Sequence, residues 1–269
     1  MIYDVFPFHN ELEILKIRLT ELYDVVGQFC IVQSTVTHKG DPKPLYFEDN
    51  RSQFSDWSDK IRSIVINDMP MARSFNAEPA NMFDDPAWKR ELFQMDRAMQ
   101  QINLGYTESV IYTDVDEIPL AWAVKEFKTS DHCVTLELPE HQYYLNWKRP
   151  TTQKDSCMAI GHWLNNKDRR TIRFSHGIGR NRSIPGAGWH FSSMGGGKMH
   201  ASKLNSFCHW NRACILEATR RPDVEDFCVP KSDREARVNK VKIDGSFPKY
   251  VQEHIEELSA KEYIHLPPL

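Results

Sequence analysis

The run Ser109-Val110-Ile111-Tyr112-Thr113 climbs directly into Asp114-Val115-Asp116-Glu117-Ile118-Pro119, an apolar, β-branched run that ends in three acids and a proline. It reads as a buried strand whose end carries a charged site. Side chains alternate along a strand, so Asp114 and Asp116 are expected on one face with Val115 turned away, and Pro119 is expected to stop further pairing. Two ionised carboxylates about 4 Å apart repel by roughly 4 kcal/mol at an effective dielectric of 20, so the fold must supply a cation, a proton or basic neighbours. A hard divalent ion suits an acid-x-acid strand end, because magnesium and manganese take few protein oxygens and leave positions open for phosphate. Acidic triplets also occur as solvated turns, but a solvated turn needs no hydrophobic strand feeding it.

The rest of the chain sets that strand in an α/β frame. Ile2 to Phe6 is a strand broken by Pro7, and Asn10 can N-cap a helix with Glu11 and Glu13 in its first turn and Leu12, Leu15, Leu19 and Leu22 at helical spacing. Strands follow at Phe29 to Val32 and Ile61 to Ile66, the first closing in a polar loop that starts with Gln33 and Ser34. Strand, helix, strand, connector, strand implies a right-handed parallel sheet. Residues 67 to 86 read as a long loop. A helix from about Ala87 to Leu104, with Gly105 as its C-cap, presents Arg90, Glu91, Gln94, Asp96 and Arg97 on its polar face. Ligands of open parallel sheets sit beyond the carboxyl ends of the strands, where Asn10, Gln33, Ser34 and Asp114 would gather.

Beyond a helix from Leu120 to Lys128 the pattern turns mixed, with short strands expected at Cys133 to Leu138, Tyr143 to Trp147, Met158 to Trp163 and Thr171 to Phe174. A glycine-rich region follows around Trp189 and His190, then a helix over 198 to 210 holding His209, and an amphipathic helix near Val251 to Leu258. The glycines form no Walker loop and are weak as a phosphate cradle. With 26% charged residues and a net charge of −3, nothing in the chain carries the basic footprint of a nucleic-acid or anionic-membrane partner. No apolar run reaches the eighteen or so residues of a membrane span. The six cysteines form no Cys-x-x-Cys pair and read as buried reduced thiols. The expectation is a cytoplasmic enzyme of bacterial or viral type, unless an N-terminal anchor was removed.

Taken together and in order, these segments resemble a known family. Tyr3-Asp4-Val5-Phe6-Pro7-Phe8-His9-Asn10-Glu11, Leu22-Tyr23-Asp24-Val25-Val26, Thr37 to Leu45, Trp88-Lys89-Arg90-Glu91-Leu92-Phe93-Gln94, the acidic stretch 114 to 119, Gly188-Trp189-His190-Phe191-Ser192, Lys203 with Ser206-Phe207-Cys208-His209, and Pro248-Lys249-Tyr250-Val251 are similar to glycosyltransferase family 17. The resemblance implies an α/β fold of GT-A type in one domain. Its parts would be a Rossmann-like, mostly parallel sheet flanked by helices in a nucleotide-sugar half (1–119), and a mixed α+β acceptor half with C-terminal helices (120–269). It further implies metal-dependent, inverting transfer of a sugar, N-acetylglucosamine foremost, from a UDP-GlcNAc-type donor to a hydroxyl of a carbohydrate acceptor, with manganese or magnesium on the acid-x-acid motif.

Carried over by position, the resemblance implies metal contacts for Asp114 and Asp116, with Asp114 serving metal or ribose. It implies that His190 reaches the metal or a phosphate, with His209 the alternative. Asn10, Glu11 and the 33 to 35 loop with Gln33 and Ser34 are implied near the base and ribose, Arg90 near the donor diphosphate, and Gln94 among the donor-binding residues. Glu117 and His190 are the catalytic candidates within matched motifs, whereas Glu140 and Asp155 are placed in sequence to enter the acceptor half. Trp147, Trp163 and Trp189 could stack on sugar faces or serve the core. Two positions depart from the family pattern: Gln33-Ser34 stands where relatives usually carry Glu-Ser, and Gln94-Met95 where many have Gln-Arg. Two other classes fit the acids: an inactive sugar- or nucleotide-binding relative, and a phosphohydrolase with an Asp-x-Asp nucleophile. The second would place its acids after an early strand.

Overall fold

The computed structural model describes residues 1–71, 82–164, 167–174, 182–195 and 238–265, together with positions 180, 199, 202, 203 and 206. The first strand, β1 (Ile2–Pro7), leads through α1 (Leu12–Leu22) to β2 (Gln28–Ser34), and a short α2 (Tyr46–Asp49) precedes β3 (Ile61–Ile66). Helix α3 (Pro86–Gln101) then feeds β4 (Ser109–Tyr112). These four strands run parallel in the order β4-β1-β2-β3, with Tyr3 opposite both Gln28 and Val110. Their two faces alternate as strand geometry requires. Phe6, Ile31 and Ile111 pack with Leu15 and Leu19 of α1, and Val5, Val32 and Val110 pack with Met95 and Ala98 of α3. The polar face expected on α3 is not solvated, since Arg90, Glu91 and Gln94 are all buried.

Helix boundaries shift for local reasons. Asn10 does not cap α1; Glu11 stands at that position, and its carboxylate accepts the backbone N–H groups of His9 and Asn10 at 3.2 and 3.0 Å. Helix α3 starts with Pro86 behind Asp85, whose carboxylate accepts the Ala87 N–H at 2.6 Å, and it ends at Ile102 before reaching Gly105.

The chain continues through β5 (Glu117–Pro119), α4 (Ala121–Lys125), β6 (Cys133–Leu136), β7 (Leu138–Gln142), β8 (Trp147–Gln153) and β9 (Cys157–Ile160). Helices α5 (Gly161–Leu164) and α6 (Arg169–Phe174), strands β10 (Arg182–Ile184), β11 (Gly188–Ser192) and β12 (Asn239–Lys240), and helices α7 (Lys249–Glu253) and α8 (Ile255–Ala260) complete the described elements. The result is a mixed α/β molecule with two sheets. The larger has the order β10-β6-β9-β4-β1-β2-β3, in which β9 alone runs against its neighbours. It is therefore mostly parallel, as expected, but it draws three strands from beyond residue 119. The smaller sheet, β12-β8-β7-β11-β5, is mixed.

Several expectations for this second half need correction. Pro119 does not end pairing: it lies in β5 opposite Gly188, and because β5 is the edge strand its missing N–H is tolerated. A Cβ on Gly188 would come within 2.0 Å of the Ile118 carbonyl oxygen, so glycine is what permits that approach. Residues 143–146 form the turn of a hairpin, with Tyr143 at φ 69°, and the strand begins only at Trp147. Thr171 to Phe174 belongs to the helix α6, not to a strand. Residues 161–164 are likewise helical, and the final amphipathic stretch divides into α7 and α8 at His254. The helix expected over 198–210 lies largely outside the described residues, and His209 with it. Cys30, Cys133 and Cys157 are buried and free. Among the described residues, no helix is long and apolar enough to cross a membrane.

Candidate functional site

Strand β4 ends at Tyr112, and the acids follow on a turn that carries the chain from the large sheet into β5 of the small one. The turn is closed by two bonds: Glu117 N–H donates to the Asp114 carbonyl at 3.0 Å, and Asp114 N–H donates to Glu117 Oε2 at 2.9 Å. Asp114 and Asp116 thus do not share a strand face, and their environments differ.

Arg18 of α1, fully buried, holds this turn from behind. Its guanidinium pairs with both oxygens of Asp4 on β1 at 2.8 and 2.5 Å, donates to the carbonyls of Asp114 and Glu117 at 2.8 Å each, and reaches Thr113 Oγ1 at 2.6 Å. Helix α6 closes the front. Arg169 donates to Glu91 Oε1 at 3.0 Å and to Asp114 Oδ1 at 2.8 Å, while Arg173 donates to Asp114 Oδ2 at 2.8 Å and to both oxygens of Glu117 at 2.5 and 2.9 Å. Gln153 and Ser156 each add a bond to Glu117 at 2.8 Å. Burial alone would raise both carboxyl pKa values, but the guanidinium groups of Arg173 and, for Asp114, Arg169 outweigh it and hold both below the usual carboxylate range.

Asp116 is arranged differently. Its Oδ2 accepts Lys203 Nζ at 2.6 Å, and its Oδ1 lies 3.9 Å from His190 Nε2. Despite burial, Asp116 and the Glu11 carboxylate, 4.0 Å from the ammonium, raise the Lys203 pKa above its ordinary value. The repulsion within the acidic triplet is therefore offset by basic side chains. Among the described residues, no group of three or more His, Cys, Asp or Glu side chains could hold a metal by itself. A cavity of about 480 Å³ opens over this turn. One wall carries Phe8, Ser34, His38 and Lys43 from the ends of β1 and β2 and the segment that follows; the opposite wall carries Glu140, Gln153, Asp155 and Ser192 from the small sheet and its connections.

Comparison with known proteins decides what kind of chain builds this cavity. The family model described as glycosyltransferase family 17 matches residues 1–230. The chain belongs to glycosyltransferase family 17. Similar curated proteins are the β-1,4-mannosyl-glycoprotein 4-β-N-acetylglucosaminyltransferases of Homo sapiens, Rattus norvegicus and Mus musculus, each 26% identical over 149 residues. The matched stretch covers 54% of this chain and 27% of the length of each relative.

In this family 17 chain the structure brings Glu11, Ser34, Gln94, Asp114, Asp116, Glu117 and His190 together on the cavity. It does not bring Asn10, Gln33 or Arg90 there, because each has its polar atoms engaged in the scaffold. Gln33 accepts the Phe47 N–H at 2.9 Å, Arg90 donates to the carbonyls of Pro70 and His38 at 2.8 and 2.6 Å, and Asn10 donates to Ser202 Oγ at 3.2 Å. Trp147, Trp163 and Trp189 stand away from the lining as well; Trp189 stacks on Phe191 in the core. Sequence reasoning missed Arg18, Arg169, Arg173 and Lys43. The available signals were an acid, Asp4, inside an apolar strand, an arginine on the leucine stripe of α1, and two arginines four residues apart.

Proposed function

We propose that the chain is a GT-A type glycosyltransferase that moves a sugar, N-acetylglucosamine by analogy with the names of its relatives, from a UDP-sugar to a carbohydrate hydroxyl. The observation that carries this reading is the cavity itself, which lies beyond the carboxyl ends of β1, β2 and β4 and is walled opposite by the small sheet. Donor and acceptor would meet over the acidic turn. Inverting transfer by one in-line displacement needs a base within reach of the attacking hydroxyl and compensation for charge on the leaving diphosphate.

Glu117 is a poor base here, since Arg173, Gln153, Ser156 and the Asp114 N–H engage both of its oxygens. We assign the base to Glu140. It stands on the acceptor wall, accepts the Thr151 hydroxyl, and lies 3.9 Å from His190 Nδ1, with His190 Nε2 3.9 Å from Asp116 on the other side of the ring. Asp114, with both oxygens on guanidinium groups, is unsuited to a metal. Asp116 Oδ1 and His190 Nε2 would hold manganese or magnesium. When bound, the ion would offset charge on the departing UDP. Lys203 would hold Asp116 in place and add positive charge beside it.

The test is UDP release from a panel of UDP-sugars, with and without manganese and oligosaccharide acceptors. Release stimulated by acceptor and lost in Glu140→Gln supports the transferase. Release indifferent to acceptor points to a phosphohydrolase, and binding without release to a sugar-binding relative.

A further inference from the structure

Seven carboxylates and three lysine or arginine side chains line the cavity, so a diphosphate entering it meets a surface of mostly the wrong sign. Two of those cations are engaged: Arg173 by Asp114 and Glu117, Lys203 by Asp116. Lys43 differs. It follows a small antiparallel bridge between Val36 and Pro42, and its N–H donates to the Thr35 carbonyl at 3.0 Å, which fixes the backbone at the end of β2. Its Nζ lies 5.8 Å from the centre of the Tyr46 ring, is shielded from solvent, and has no hydrogen-bond partner among the described residues. The opposing charge that acts on it is Glu11, whose Oε2 is already taken by two backbone N–H groups.

A buried ammonium without a hydrogen bond is costly to a fold and calls for a ligand that supplies one. A neutral carbonyl would leave the charge uncompensated, whereas a phosphate oxygen supplies both charge and acceptor. We propose that Lys43 Nζ is a phosphate-binding group that takes an oxygen of the donor's diphosphate at the β1–β2 end of the cavity. The inference rests on the transferase reading for the identity of that diphosphate, not for the anion site itself.

Calorimetric titration of wild type, Lys43→Met and Lys43→Gln with UDP, uridine and inorganic pyrophosphate tests it. Both variants remove an amine that makes no hydrogen bond among the described residues, and a melting curve checks that each is folded. Losses of about tenfold or more for UDP and pyrophosphate, with uridine unchanged, are expected. Equal losses for UDP and uridine, or no loss for either, overturn the phosphate assignment while leaving the transferase reading intact. Lys43-dependent binding of pyrophosphate without any binding of nucleotide upholds the anion site and removes the transferase reading. A wild type that binds neither overturns both.

Discussion

The two ends of the acidic turn are built from the same residue type and are held in opposite ways. Asp114 is clamped between two arginines of α6, while Arg18 grips its carbonyl from the other side. Asp116 touches one lysine and faces a histidine across 3.9 Å. A carboxylate whose oxygens are both in charge-assisted bonds is a structural element, and one that keeps an oxygen toward a cavity remains available to a ligand. An acid-x-acid motif therefore need not mean two equivalent ligands.

The largest expected effect breaks both ends at once. Arg18→Leu leaves Asp4 buried without its partner and frees the carbonyls of the turn, a loss of about 3–5 kcal/mol in denaturant unfolding. Asp114→Asn is expected to cost about 3 kcal/mol, since it deprives two buried guanidinium groups of a shared anion. The same contrast has a pH signature. The carboxyls of Asp114 and Glu117 sit below their usual range, so the stability they provide is complete above about pH 5 and is lost as pH falls through about 4 and below. Acid unfolding of Asp114→Asn should show a shallower slope there than wild type.

Asp116→Asn should instead cost less stability than Asp114→Asn, because one ammonium that keeps Glu11 nearby loses an anion where Asp114→Asn strips two guanidinium groups, while lowering transfer by about 100-fold. Equal stability losses in the two aspartate variants would erase the distinction between them. The smallest effect concerns Lys43, which burial pushes down to about 8 against the opposing pull of Glu11. Its neighbour His9, lowered to about 3 by burial and by Lys43, His38 and Lys203, stays neutral throughout this range. The protonated amine binds anions, so UDP affinity should weaken above pH 8 by at most about tenfold per unit, and Lys43→Gln should lose that dependence.

The parts of this molecule legible in the sequence are those fixed by local pattern. Ile61–Ile66 matches its expected bounds because an apolar, β-branched run stands between a polar segment and a loop. The acids at 114 to 117 announced a charged site in the same way. What surrounds them was not legible, because it depends on contacts distant in sequence: Arg18 meets Asp4 and the turn almost a hundred residues later, and Arg173 meets Asp114 and Glu117. Helix α6 is six residues long, too short to show a period, and its Thr-Ile-Arg-Phe reads as strand alternation. As a helix it sets Arg169 and Arg173 one turn apart on one face, close enough to share the Asp114 carboxylate. Gln33 and Arg90 show the converse, since positions that the resemblance implied near the donor serve the scaffold behind the cavity.

The Asp116 end of the turn is proposed to hold the donor's diphosphate by way of a divalent ion, whereas the Asp114 end holds the fold. Calorimetric titration of UDP in the presence of manganese, comparing wild type with Asp116→Asn, tests it most directly. Binding by wild type and a loss of at least about tenfold in the variant, with a cooperative melting transition showing that the variant is folded, are expected. Equal affinity in the two proteins would contradict it.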